Sequence, residues 1–177
     1  MKYLLDSNTY IQAKNQYYDM GFCPAYWDWL DNMFASGEVG SIEFIGKELK
    51  DGNDDLATWA KDRNEHFIKH EDNETQAVFA KIANYVMAHD FDPANRDNFL
   101  QKGDPWLIAK AQTLGATLVT QEARVSPNTR KVKIPNICME FNVPCITVFE
   151  MLRRLKPQFV LGDPEQTPPQ NNTVSFL

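Results

Sequence analysis

A helix followed at once by a short apolar run, in the second half of the chain, constrains the fold more than any other stretch. Asp104 is placed as the N-cap, Pro105 suits the first helical turn, and apolar residues then recur at helical spacing up to Gly115. Gly115 stands where a left-handed residue commonly ends a helix. Residues 116–119 are apolar and bounded on both sides, which is typical of a strand buried on both faces of a parallel sheet. Such a sheet needs helices on both of its sides.

The alternation of short apolar runs and helical patterns continues along the rest of the chain. Strands are predicted at residues 3–5, 39–42, 116–119 and 145–148. The alternation predicts an α/β fold, a three-layer α/β/α sandwich with a central, mostly parallel sheet of about four to five strands. Residues 1–156 are expected to form this domain. Residues 157–177 are rich in Pro, Gln and Asn and are expected to be an extended or disordered tail.

The charge balance limits the partners that the chain can bind. With 24 acidic and 18 basic residues, its formal net charge is −6, which is poorly suited to non-specific binding of a polyanion. A nucleic-acid substrate would therefore require a local basic patch or metal ions. The three cysteines include no Cys-x-x-Cys pair, so neither a disulfide framework nor a zinc ribbon is indicated. Because no signal-peptide pattern and no long apolar run is present, a cytoplasmic protein without membrane association is expected.

Four acidic residues fall where a parallel sheet would gather them. Asp6 and Glu122 each follow a predicted strand, Asp104 opens a helix, and Glu48 lies on the helix after the second strand. Strand exits and helix starts both lie at the carboxyl edge of such a sheet, where α/β folds bind ligands. Carboxylates gathered there repel one another, so their pKa values rise unless cations are present. Hard oxygen ligands of this kind suit Mg²⁺ or Mn²⁺.

The segments around these acids resemble a known family. They read Leu-Leu-Asp-Ser-Asn at 4–8, Glu-Leu at 48–49, Gly-Asp-Pro-Trp-Leu-Ile-Ala-Lys-Ala at 103–111 and Thr-Gln-Glu at 120–122. Together they resemble the PIN domain, a family of metal-dependent ribonucleases. The similarity is closest to the single-domain bacterial members, many of which are toxins of type II toxin–antitoxin pairs. It extends over nearly the whole predicted domain.

The resemblance implies roles for particular residues. The implied catalytic, metal-binding acids are Asp6, Glu48, Asp104 and Glu122. Glu122 stands where the family usually has an aspartate, and its longer side chain would bind an ion through water or in another geometry. Asn8 and Thr120 resemble the polar residues that orient the acids or the attacking water, although both could also serve as ordinary capping residues.

The implied reaction is metal-assisted hydrolysis of RNA phosphodiester bonds. One or two Mg²⁺ or Mn²⁺ ions held by the acids would lower the pKa of a bound water and stabilise charge on the leaving oxygen. No cysteine or serine nucleophile is then required. The resemblance also implies an antitoxin protein as a partner and a possible homodimer, neither of which is visible in the residues themselves.

A basic segment follows the last of the four acids. Its cations are Arg124, Arg130, Lys131 and Lys133. They supply a local positive field that the net charge lacks, so they are candidates for contact with RNA phosphates or with an acidic antitoxin segment. A merely solvated basic loop is the alternative.

Two other functions stay open at this stage. A PIN-like fold that has lost strong metal affinity would act as a binding module for protein or RNA, and Glu122 and the acidic net charge motivate this alternative. A hydrolase of small phosphate esters would use Asp6 as its nucleophile. Such enzymes usually have a second aspartate two residues further on, where this chain has Asn8.

One possible zinc site is set aside. His66 and His70 have the spacing of two ligands on a helix, but a third ligand has no obvious source. The charged residues around them predict a solvated face instead.

Overall fold

Five short parallel strands form the centre of the structure, a computed structural model that describes residues 1–126 and 129–160. The strands are β1 (Tyr3–Leu5), β2 (Val39–Ile42), β3 (Phe67–Ile68), β4 (Thr117–Val119) and β5 (Cys145–Ile146). Their order in the sheet is β3-β2-β1-β4-β5. Every neighbouring pair is parallel, and β1 lies at the centre, with Leu4 opposite Gly40 on one side and Leu118 on the other.

Helices connect the strands. They are α1 (Ser7–Gln12), α2 (Pro24–Ala35), α3 (Glu43–Lys50), α4 (Asp55–Lys61), α5 (Asn73–Ala88), α6 (Pro93–Gln101), α7 (Asp104–Leu114), α8 (Ile134–Glu140) and α9 (Val148–Leu155). A π-helical turn, Ala13–Tyr17, continues α1, and a short 3₁₀ helix, Asn64–His66, precedes β3. Gly115 ends α7 in the left-handed conformation, with φ 63°, as its position in the sequence predicts.

The predicted α/β fold with a central parallel sheet is confirmed. All four residues of β2 are buried, and Leu4 and Leu5 of β1 have no exposed surface although their side chains point to opposite faces. Both faces of the sheet are therefore covered, which is why its strands are continuously apolar rather than alternating. The carboxyl ends of β1 and β4 lie side by side, because Leu5 pairs with Val119.

The sequence pattern misses the edge strand β3. The sequence pattern suggests a broken helical stripe of Leu56, Trp59, Ala60 and Phe67, but α4 ends at Lys61 and Phe67 pairs with Ser41 of β2. A strand of two residues carries no periodicity that could identify it. The ring of Phe67 lies where Gly46 has no side chain, since a Cβ there would be 2.5 Å from the Phe67 Cγ.

The prediction of a solvated face around the two histidines is wrong. His66 stacks on Phe34, with 3.9 Å between the ring centroids. His70 is 5% exposed and packs between Phe44 and Trp106. Burial lowers the pKa of both imidazoles, so both act as apolar packing groups at neutral pH.

The predicted tail, residues 157–177, lies mostly outside the described residues. Residues 157–160 form neither helix nor strand, and the Phe159 ring lies 6.1 Å from that of Trp29 on α2. Among the described helices, none combines the length and the apolar character needed to cross a membrane.

Candidate active site

A cavity of about 490 Å³ opens at the carboxyl edge of the sheet, beside the exits of β1 and β4. Three of the four predicted acids, Glu48, Asp104 and Glu122, line it, and Asp6 at the exit of β1 is fully buried. The charges of Glu122 and Glu48 help to raise the pKa of Asp6, and the charges of Asp6, Glu122 and Glu48 help to raise the pKa of Asp104. The fold therefore brings the four acids into one neighbourhood.

Asp6 is fixed by the strand that precedes it and by its neighbours. Its backbone N–H donates to the Val119 carbonyl at 2.9 Å and so extends the β1–β4 pairing by one residue. Its carboxylate accepts hydrogen bonds from Thr120 Oγ1 at 2.9 Å and from Ser7 Oγ at 3.3 Å. Burial raises the pKa of Asp6 to about 6, against the effect of the Thr120 hydrogen bond. Thr120 thus has the orienting position that its sequence context suggests.

Asp104 does not cap its helix, so the prediction that it is the N-cap is wrong by one position. Gly103 holds that position, because its carbonyl accepts from the Leu107 N–H at 2.8 Å, and Asp104 is the first helical residue. A Cβ at Gly103 would lie 2.8 Å from Ile45 Cδ1, so a side chain there would displace the tip of Ile45. The Asp104 side chain is thereby left to face the cavity.

Burial and three neighbouring acids act on Asp104 together. Desolvation first, and then the charges of Asp6, Glu122 and Glu48, raise its pKa to about 8. The positive charge of Lys102 acts in the opposite direction. The positive charge near Asp104 is therefore too small to stabilise the ionised form of its carboxyl group.

Glu48 and Glu122 each have partners within the chain. Glu48 accepts a hydrogen bond from the Gly103 N–H at 3.2 Å, which ties α3 to the start of α7. Glu122 accepts from Lys133 Nζ at 2.7 Å and from the Ile134 N–H at 2.8 Å. Both glutamates are half-buried. Glu122 is thus compensated by a cation and a backbone dipole from the same chain.

The two predicted helper residues differ in their surroundings. Thr120 is buried and links two acids: its hydroxyl donates to Asp6 and accepts from the Glu122 N–H at 3.1 Å. Asn8 is exposed on the wall of the cavity.

The four predicted cations are not gathered in one patch. Lys133 lines the acidic cavity. Arg124 lies in a separate pocket beside Cys145, and Arg130 pairs with Asp90 at 3.1 Å. Lys131 lies in a third pocket with Tyr85 and Glu140. Asn136, in the first turn of α8, does not cap that helix: its side chain exchanges hydrogen bonds with the Val125 backbone at 3.1 and 3.0 Å.

Three further residues of the cavity were missed from the sequence. Asn95 and Asn98 on α6 and Lys102 just after it all line the cavity. Their spacing of three and four residues places them on one helical face, which is the signal that could have identified them.

The donor set suits a hard divalent cation. It consists of carboxylate oxygens, and the buried Asp6 and the half-buried Asp104 have raised pKa values that a cation would offset. Within residues 1–126 and 129–160, however, no three acidic, histidine or cysteine side chains stand close enough to hold an ion together. The pairing of Glu122 with Lys133 keeps one of the candidate ligands engaged elsewhere.

Comparisons with known proteins place the chain by fold and by family. It is similar to a chain in the crystal structure of VapBC2 from Rickettsia felis bound to a DNA fragment from their promoter, with a TM-score of 0.50 and 14% identity. The similarity covers 83% of this chain and 98% of that one, and at this identity it concerns the fold alone. No curated protein matches the sequence. A family model described as a domain of unknown function, DUF4411, matches residues 3–159, and the chain therefore belongs to the DUF4411 family.

Proposed function

We propose that the chain is a Mg²⁺- or Mn²⁺-dependent endoribonuclease of the PIN type. The observation that carries the proposal is the convergence of Asp6, Glu48, Asp104 and Glu122 around one concave cavity, with raised pKa values for the buried Asp6 and the half-buried Asp104. Perturbed carboxyl groups in a cleft are typical of catalytic sites. The similarity of motifs to the PIN domain and the fold similarity to a VapBC2 chain support the same activity.

The residues around the cavity would have different roles in such a site. Asp104, which lines the cavity, is the principal ligand, and Glu48 and Glu122 complete the acidic set. Asp6, oriented by Thr120 and without exposed surface, adds negative charge next to them. When bound, the divalent ion supplies an activated water and stabilises charge on the leaving oxygen. Lys102 and Lys133 stand on the same cavity and attract the phosphates of the substrate.

We extend the proposal to a toxin that is controlled by an antitoxin protein. Support comes from the resemblance to single-domain bacterial PIN proteins and from the fold similarity to VapBC2. The antitoxin would bind the chain and cover the cavity, and a homodimer of this chain is proposed on the same grounds. Residues 1–156 would form the nuclease domain and residues 157–177 a separate tail, and the protein would act in the cytoplasm.

Two charge-removing substitutions test the activity. Asp6→Asn and Asp104→Asn keep the size of each side chain and are expected to remove Mn²⁺-dependent cleavage of RNA and growth inhibition. The far-UV circular dichroism should stay unchanged, and the melting temperature should stay the same or rise, because a buried charge is lost. Asp28→Asn, on the exposed face of α2, is the matched control and should cleave as the wild type does. Full cleavage by the Asp6→Asn/Asp104→Asn double variant would refute the proposal.

A binding module without catalysis is the second candidate. The Lys133–Glu122 pair favours it, since an internal cation already neutralises part of the acidic set. Calorimetric titration with Mn²⁺ separates the two candidates. An active site should bind the ion in a manner that depends on Asp6 and Asp104, whereas an eroded site should show no binding.

The burial of Asp6 argues against a phosphate-ester hydrolase that uses this residue as a nucleophile. Its carboxylate has no exposed surface and is held by Thr120 and Ser7. A nucleophile must reach the phosphorus atom of its substrate.

A further inference from the structure

One face of α6 forms a polar wall of the acidic cavity. Asn95, Asn98 and Lys102 line the cavity, whereas Arg96 and Asp97 between them pair with each other at 2.8 Å. The face is anchored by Phe99, which is 3% exposed and packs into the core. Asn8, on α1, adds a third exposed amide to the same cavity. The acids thus share their cavity with three amides and two lysines, Lys102 and Lys133.

The amides differ from the acids in what they can recognise. A carboxylate only accepts hydrogen bonds, whereas an asparagine presents a donor and an acceptor side by side. That pair matches the edge of a nucleobase, and an asparagine can bind an adenine edge with two hydrogen bonds. Asn95 is also oriented in advance, because its Nδ2 donates to Asp92 Oδ1 at 3.2 Å while the same carboxylate caps α6. Its amide oxygen and the second hydrogen of its Nδ2 then remain for a base.

The shape of the cavity restricts the form of the nucleic acid. Its volume of about 490 Å³ lies within the range of roughly 300–1,000 Å³ that encloses a small ligand. A paired base is held inside a double helix and does not enter a recess of this kind, whereas an unpaired base can be turned out and read on its edge. Lys102 beside the amides provides a cation for the adjoining phosphate.

We propose that Asn95, Asn98 and Asn8 read an unpaired base next to the scissile phosphate. The base preference of the proposed ribonuclease is then set by α6 and by Asn8. This inference rests on the proposed ribonuclease function and adds its specificity residues.

The test compares cleavage by the wild type, Asn95→Ala/Asn98→Ala and Asn84→Ala. Asn84 is an exposed asparagine of α5 outside the cavity, so its substitution is the matched control. Each protein is incubated with Mn²⁺ and a pool of short random single-stranded RNAs, and the cut ends are sequenced. The wild type and the control should share a base preference at one position beside the cut. In the double variant this preference should fall by about 10-fold, because one good bidentate base contact is worth about 1–3 kcal/mol of discrimination.

A binding measurement keeps the inference testable if no cleavage occurs. Fluorescent RNA 10-mers of each single base, and a duplex of the preferred one, are titrated with the Asp104→Asn protein with and without the α6 substitutions. Base-selective binding that is lost with the α6 amides, together with binding of the duplex that is at least 10-fold weaker, supports the inference. An unchanged preference in the double variant, equal binding of single strand and duplex, or no base selectivity in either assay overturns it. Loss of cleavage with selective binding retained would refute the nuclease function alone.

Discussion

Asp104 and Glu122 line the same cavity and carry the same kind of charge, but their surroundings are opposite. Glu122 has a lysine Nζ at 2.7 Å and a backbone N–H at 2.8 Å on its two carboxylate oxygens. Asp104 is influenced mainly by burial and by other acids, and its pKa rises to about 8. One side of the cavity is therefore neutralised by the chain itself, whereas the other side is left to be neutralised by a cation from outside.

Three other aspartates at helix starts have the hydrogen-bond partners that Asp104 lacks among the described residues. Asp54, Asp72 and Asp92 precede their helices and each accepts a hydrogen bond from a backbone N–H of the first turn. Such caps stabilise a helix by about 0.5–2 kcal/mol. Asp104 lies one position later and makes no cap. Its charge reduces stability in the metal-free protein, which is typical of a residue kept for function.

The largest expected effect is the difference in Mn²⁺ affinity between a variant of Asp104 and a variant of Glu122. Asp104→Asn should weaken Mn²⁺ binding by at least about 100-fold, because this acid is a principal ligand without another partner. Glu122→Gln should weaken Mn²⁺ binding by about 10-fold, because the Glu122 carboxylate already has partners within the chain. A 10-fold loss is the lower end of the range for residues that support a metal site without being its main ligands. Isothermal titration calorimetry measures both. Asp51→Asn, which removes an exposed charge from the same cavity, is the control for general electrostatics. Equal losses of Mn²⁺ affinity for Asp104→Asn and Glu122→Gln would show that the contact with Lys133 does not reduce the contribution of Glu122 to metal binding.

A smaller effect concerns the pH dependence of stability in the absence of metal. The folded-state pKa of Asp104, about 8, lies above the unfolded value of about 3.9. Between these values the folded protein binds more protons, so the free energy of unfolding falls as the pH rises. Asp104→Asn should remove most of this fall and exceed the wild type by about 1–3 kcal/mol at pH 9. At pH 4.5 the difference should be small.

Urea unfolding in EDTA, followed by circular dichroism across this pH range, measures the effect. Glu122→Gln is the comparison, and it should bring no such gain at pH 9, since it breaks the contact with Lys133. A gain of the same size from both substitutions would remove the contrast between the two acids.

The sequence predicts the fold well where a signal is local and strong. β1 and β2 have the predicted bounds, and Gly115 ends α7 as expected, because continuous apolar runs and a left-handed glycine are properties of the residues themselves. β3 could not be predicted in this way, since its two residues are held by pairing with β2 and by the space above Gly46. The two histidines were misjudged for the same reason: their partners, such as Phe34, are distant in sequence.

The candidate site shows the same difference between features that local sequence predicts and features that depend on distant contacts. Asp6 and Glu122 follow strands, so their convergence at the sheet edge could be inferred from topology alone. The charge environment of each acid could not be inferred, because it depends on contacts such as Glu48 with Gly103 and Glu122 with Lys133. The basic segment shows this most directly. Its cations are close in sequence, but Arg124 lines a neighbouring pocket that shares Glu122 with the acidic cavity, and Arg130 pairs with Asp90.

The smallest expected effect tests whether Lys133 accounts for the contrast between the acids. Lys133→Met keeps most of the side-chain length and removes the charge that lies 2.7 Å from Glu122. Because the Lys133 side chain is 33% exposed, its loss should lower the free energy of unfolding by no more than about 1 kcal/mol. Mn²⁺ affinity should rise by about 3- to 10-fold, which corresponds to about 0.7–1.4 kcal/mol, since the ion no longer competes with an internal cation. Lys131→Met, an exposed lysine outside the acidic cavity, should change neither quantity. An unchanged or lower affinity in Lys133→Met would mean that Glu122 is kept from the ion by its hydrogen bond with Ile134 or by its length, and Lys133 would then be a phosphate-binding residue alone.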